Sequence, residues 1–226
     1  MRPIFRTAAL AAALFGISQA ASAQSVTFDF EDGTDQGFGH KFGSGDASET
    51  FPVVSIGGSM RMAVLRDGDF QEAERIAGAD GSPFYLAMKA AAADEANYFI
   101  SYDYYIDTSA FGSGAGTFLQ LGTYVNTGSG YYAQDFPGAG KDVELSGTDL
   151  ASGGVFSGTV TESFAAKGYD MPAADTFFRL GLIINGDGAN QVVHFDNIRV
   201  FPEPASLALV SLAVLPILRR RRSRSA

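Results

Sequence analysis

Cysteine and tryptophan are absent from the 226 residues, and histidine occurs only twice, at His40 and His194. Without cysteine there is no disulfide staple and no thiol nucleophile, so stability must come from packing and from any bound ion. Two histidines so far apart give no metal-ligand spacing. No His-Glu-x-x-His, P-loop or Glu-x-Asp-x-x-Glu pattern compensates for them. The missing tryptophan removes the broadest aromatic platform and leaves tyrosine and phenylalanine for stacking. Positive charge is also scarce. Seven of the 16 lysines and arginines lie in the first 23 or the last 25 residues, leaving nine against 24 acids between them, a net of −15. So acidic a body argues against nucleic acid and anionic membranes as partners, and suits divalent cations or neutral polymers. No repeat of 20–50 residues appears, which disfavours a solenoid or propeller.

The two ends read as targeting segments. Arg2 and Arg6, the apolar stretch Ala8 to Ile17 and the small residues Ala21-Ser22-Ala23 form a secretory signal peptide, with cleavage expected before Gln24. At the other end, Pro202-Glu203-Pro204 precedes an uncharged run from Ala205 to Leu218, followed by Arg219, Arg220, Arg221 and Arg222. Fourteen residues of helix reach about 21 Å, short of the roughly 30 Å hydrocarbon core, so a span relies on local thinning or snorkelling arginines. The arginines hold that end on the cytoplasmic side. This ordering resembles the PEP-CTERM sorting signal of Gram-negative bacteria. The resemblance implies a transient inner-membrane anchor, recognition by an exosortase, removal near the motif and delivery to the cell surface or extracellular matrix. A plain C-terminal membrane anchor is the other reading of the same run.

The expected divisions are 1–23, 24–201 and 202–226. Residues 24–201 suit a single domain made of short strands separated by Gly, Ser, Asp and Asn clusters. Val26, Phe28 and Phe30 share one face of a first strand. Met60, Met62 and Val64 make another inward row, as do Tyr98, Ile100, Tyr102, Tyr104 and Ile106. Leu119, Leu121, Thr123 and Val125 follow, then Phe156, Val160 and Phe164 around Gly158, a candidate bend or bulge. Phe178, Leu180, Leu182 and Ile184 form the clearest row before the last strand, Gln191 to Phe201. Gln71 to Ala77 fits either a helix or a polar strand, and Ala87 to Ala96 has the composition of one short helix. About ten strands predict an all-β antiparallel jelly-roll sandwich.

Phe28-Asp29-Phe30-Glu31-Asp32-Gly33 near the start and Phe195-Asp196-Asn197-Ile198 near the end together resemble the jelly-roll carbohydrate-binding-module and galactose-binding-like domains. Those domains often carry Trp soon after the opening strand, where this chain has Phe38. The resemblance implies that the first and last strands are neighbours and share a structural Ca2+, with Glu31 and Asp196 as matching carboxylates and Asp29 and Asp32 as further candidates. Turn-capping or solvated acids are the competing reading. Alternation puts Asp196 in the row of Ile198 and Val200, where an aspartate needs a partner or a bulge.

Tyrosines outside the core rows are the candidate sugar platforms: Tyr105, beside Ser101 and Asp103, and Tyr131 and Tyr132 in a loop with Gln134 and Asp135. Glu72-x-Glu74 reads as a solvated acidic edge. The function expected is non-catalytic polysaccharide binding by an exported surface protein. A structural or adhesive matrix protein without a discrete ligand and a polysaccharide-degrading enzyme are the rivals.

Overall fold

The computed structural model describes residues 24–43, 54–64, 69–112, 115–133, 141–188 and 191–203. The signal peptide, Pro204, the four arginines Arg219 to Arg222, Gln134 and Asp135 lie outside the described residues. Among the described residues, no helix is long and apolar enough to cross a membrane.

Twelve strands are described: β1 (Val26–Phe28), β2 (Phe38–Gly43), β3 (Val54–Ile56), β4 (Ser59–Ala63), β5 (Asp69–Ala77), β6 (Tyr98–Asp107), β7 (Phe118–Thr127), β8 (Tyr131–Ala133), β9 (Val143–Ser146), β10 (Val155–Ser163), β11 (Phe178–Gly186) and β12 (Val192–Pro202). Helix α1 (Pro83–Ala93) and a short α2 (Gly147–Ala151) interrupt them. The first sheet runs β10-β6-β12-β4-β3 with β1 also paired to β12; the second runs β2-β5-β11-β7-β8 with β9 paired to β7. Every pairing is antiparallel. This is the expected jelly-roll sandwich, with first and last strands adjacent, Val26 opposite Val200.

The core rows are those the alternation marks. Met60, Met62, Val64, Ile100, Tyr102 and Ile106 of the first sheet meet Leu119, Leu121, Val125, Phe178, Leu180, Leu182 and Ile184 of the second in one continuous buried cluster. Each fully buried side chain of this size contributes roughly 1.5–3 kcal/mol. Some boundaries differ from the sequence reading. β1 stops at Phe28 because Phe30 adopts a left-handed φ of 55°. Phe30 nevertheless remains wholly buried and packs on Phe38. Gln71 to Ala77 is strand, hydrogen-bonded along its length to β11. The helix begins four residues earlier than its composition suggests, because Ser82 caps it, accepting from the Tyr85 N–H, and Pro83 opens it. Gly158 makes no bulge, since β10 keeps an unbroken register with β6. Its missing side chain gives room to the Tyr104 ring, whose hydroxyl would lie 3.1 Å from an added Cβ.

Candidate functional site

The register of β12 against β6 brings distant residues together. His194 lies opposite Tyr105, and Asp196 opposite Asp103. After Asp196 the register slips: three steps along β12, to Arg199, correspond to two along β6, to Ser101. Asn197 takes up the extra residue with a left-handed φ of 48°, which asparagine tolerates. This bulge reverses the parity of the strand. Ile198 and Val200 face the core as expected, but Asp196 points outward with His194, correcting the simple alternation.

The outward side chains form a cleft of about 420 Å³. Asp103 and Tyr105 of β6 and His194 and Asp196 of β12 line it, with Tyr104 of the core row between them; Ile56, Gly57 and Ser59 line it from the β3–β4 hairpin. That hairpin needs its two glycines. Gly57 and Gly58 both have positive φ, 61° and 77°, as a two-residue primed turn requires. Gly58 is also pressed on Glu31, whose Oε1 would be 3.0 Å from an added Cβ. Two large side chains on the cleft remain open to solvent, Ile56 (51% exposed) and Tyr105 (44%). A ligand between them gains apolar contact that the fold itself does not use.

The polar groups are held in place. The Ser59 hydroxyl donates to the Ile56 carbonyl at 3.0 Å and lies 3.0 Å from His194 Nδ1. With its one proton so used, the hydroxyl accepts from Nδ1–H, leaving Nε2 of His194 as an acceptor. Burial, and then the charge of Arg61, hold the imidazole below its usual pKa, which favours the neutral ring. The rings of Tyr105 and His194 meet edge to face at 6.2 Å. Asn197 ties the two aspartates together. Its side-chain amide donates to Asp103 Oδ2 at 2.9 Å and to Asp196 Oδ2 at 3.1 Å, and its backbone N–H donates to Asp196 Oδ1 at 2.6 Å. Thr159 donates to the other oxygen of Asp103 at 2.5 Å. Among the described residues, no cation pairs with either aspartate.

Burial raises the Asp196 carboxyl above its usual value; the Asn197 N–H opposes this, and the charges of Asp103, Glu31 and Asp29 add to it. Such a group favours the fold while protonated. That contribution is complete below the unfolded-state value, about pH 4, and is lost as pH rises through the raised one. Asp196→Asn cannot titrate. Its stability relative to the native chain is therefore expected, in urea titrations, to improve as pH climbs from below about 4 through the raised value and then to level off, and a constant difference would contradict the assignment.

The calcium candidates reach the same corner, since Glu31 and Asp29 act electrostatically on Asp196. Asp32 turns back on its own loop, accepting from the N–H and hydroxyl of Thr34. Among the described residues, no three His, Cys, Asp or Glu side chains gather closely enough to hold a metal. Six to eight oxygens around one point are what calcium requires.

The other sugar candidates lie in the opposite sheet. Tyr131 and Tyr132 sit on edge strand β8 rather than in a loop, paired with Asn126 and Val125 of β7. The structure therefore joins Tyr105 with Asp196 and leaves the β8 tyrosines apart from both. The outward face of the second sheet is polar but closed. Glu72, Glu74, Gln120 and Tyr124 are 6%, 8%, 3% and 0% exposed. Tyr124 donates to Glu74 at 2.9 Å, Arg179 approaches Glu74 at 3.4 Å, and Asn185 donates to Gln120, which donates to Glu144. Glu72-x-Glu74 is thus no solvated edge; its acids are covered.

The sequence reading set Asp103 beside Tyr105, two residues away on one strand face, and the structure keeps them so; it missed Ser59 and Ile56, which no local pattern ties to that strand.

No protein-family model matches this chain, and no curated protein matches it. Solved structures do. A carbohydrate-binding module specific for non-crystalline cellulose, CBM28, is similar with a TM-score of 0.50 and 12% identity, over 77% of this chain and 92% of its own. The likeness is one of fold. CBM27-1 of Caldicellulosiruptor saccharolyticus, solved with mannohexaose, has a TM-score of 0.46 and 14% identity over 81% of this chain and all of its own. The xylan-binding module CBM15 has a TM-score of 0.45 and 12% identity over the same shares.

Proposed function

We propose that this chain is an exported, non-catalytic carbohydrate-binding protein whose ligand occupies the Tyr105 cleft. The observation that carries this reading is a solvent-open tyrosine and isoleucine flanking fixed hydrogen-bonding groups in a cleft sized for a sugar ring or two. A pyranose offers apolar C–H faces to Tyr105 and Ile56, and hydroxyls to His194 Nε2, Asp103 and Asp196. The fold shared with carbohydrate-binding modules is consistent with this role. The secretory leader and the Pro202-Glu203-Pro204 tail support delivery by an exosortase to the cell surface or matrix.

Calorimetric titration of mannan, xylan and non-crystalline cellulose into the full chain tests the reading. At least one is expected to bind, and Tyr105→Ala is expected to weaken it tenfold or more, about 1.4 kcal/mol. Tyr131→Ala and Tyr132→Ala are expected to leave it unchanged, and no reducing ends should appear on incubation. Loss through Tyr131 or Tyr132 alone would move the site to β8, and silence across the panel would remove the proposal.

A further inference from the structure

The cleft contains more negative charge than a neutral sugar needs. Asp103 and Asp196 are direct neighbours across the β6–β12 ladder, both outward, and like charges so placed repel. Each is held by neutral donors, Asn197 and, for Asp103, Thr159 as well. Hydrogen bonds from an amide and a hydroxyl fix the carboxylates without cancelling their charge. Glu31 and Asp29 add further negative potential from the β1 side. Of the basic residues in the ladder, Arg61 stands opposite His194, and Arg199, beyond the bulge, donates to Asn197 Oδ1 at 3.2 Å rather than to either acid.

Two chemistries neutralise such a pair, a metal ion and an ammonium group. A metal ion held by side chains alone would take a third carboxylate or imidazole, and the described residues gather no three such groups. It would also leave the exposed Tyr105 and Ile56 unused. An ammonium asks for less: two carboxylate oxygens, and an aromatic or aliphatic wall for the carbon skeleton that carries it. Along β6, Tyr105 and Asp103 are two residues apart on one face, about 7 Å. One pyranose ring with its substituents covers that span.

We infer that the Tyr105 cleft selects amino sugars, with the ring on Tyr105 and Ile56 and a free amine between Asp103 and Asp196. The inference rests on the sugar reading of this cleft and narrows it to deacetylated hexosamine units. Acetylation removes the charge and adds bulk where the acids stand, so the N-acetyl form is a poor ligand. A cationic sugar polymer also suits the net acidity of the body.

The test is calorimetric titration of the full chain, in buffer containing EDTA, with β-1,4-linked glucosamine hexamer, N-acetylglucosamine hexamer, cellohexaose and spermidine. The glucosamine hexamer is expected to bind at least tenfold more tightly than the other three. Asp103→Asn and Asp196→Asn are each expected to bring its affinity to within about twofold of cellohexaose, while Tyr105→Ala weakens every sugar. Equal or tighter binding of cellohexaose or the N-acetyl hexamer overturns the amine preference and leaves the sugar site standing. So does a preference that survives both aspartate substitutions. Spermidine binding as tightly as the glucosamine hexamer, independent of Tyr105, would assign the acids to amines in general and overturn the sugar selectivity. Binding of no sugar in a Tyr105-dependent way removes both readings together.

Discussion

Lys167→Met is expected to cost about 3–5 kcal/mol of folding stability, the penalty for leaving one charge of a buried pair uncompensated. Lys167 and Asp142 are both fully buried at their side chains, with Nζ and Oδ1 2.5 Å apart; Glu162 approaches the same ammonium at 3.5 Å. The second oxygen of Asp142 accepts from the Tyr102 hydroxyl at 2.7 Å. Nearby, Thr123 and Tyr169 share a 2.7 Å hydrogen bond between the sheets. Burial, then the charge of Asp142, pushes the Tyr102 phenol well above its usual range. The raised phenol fixes a sign: the unfolded tyrosine ionises near pH 10, so stability falls as pH climbs beyond that value. Urea unfolding measures the main effect. The double variant Lys167→Met with Asp142→Leu, which leaves no fully buried charge and only the half-exposed Glu162, is expected to recover much of the loss. Single variants within 1 kcal/mol of the native chain would show that the pair is not sealed from water.

Gly181→Ala ranks second, at about 3 kcal/mol. Gly181 lies opposite Tyr124 in the β11–β7 ladder, and an added Cβ would fall inside the tyrosine ring. The ring must leave, breaking its hydrogen bond to the covered Glu74 carboxylate, so overpacking and a lost hydrogen bond add together. Because both residues fill one space, the substitutions should not be additive: Gly181→Ala is expected to cost far less in a Tyr124→Ala background. Thermal melts of the two single variants and the double decide it. Additive losses would place the clash elsewhere.

What the chain makes plain and what it hides follow from the range of the interactions. Rows such as Phe178, Leu180, Leu182 and Ile184 are legible because alternation is local and the core lies directly beneath. β5 is ambiguous because Glu72 and Glu74 look like surface residues. Glu74 is bonded to Tyr124 and Arg179, 50 and 105 residues away, and no short window contains those partners. The parity of β12 is hidden in one residue, Asn197, whose left-handed turn has no hydrophobic signature. The cleft is half visible. Tyr105 and Asp196 stand out one at a time, but only the strand register places them on one face, and only the Gly57-Gly58 turn brings Ser59 and Ile56 over them. The Ser82-Pro83 helix start was readable by the usual capping rules, and composition alone pointed past it.

The placing of the last strand has a mechanical consequence. β12 lies inside its sheet, held by β6 along one side and by β4 and β1 along the other, and it leads directly to Glu203. Antiparallel hydrogen bonds lie across the strand, so tension applied along β12 from Glu203 strains many of them simultaneously rather than peeling them one by one. A body gripping a polymer while tugged by its tail would bear drag in shear, the direction in which a sheet yields least readily.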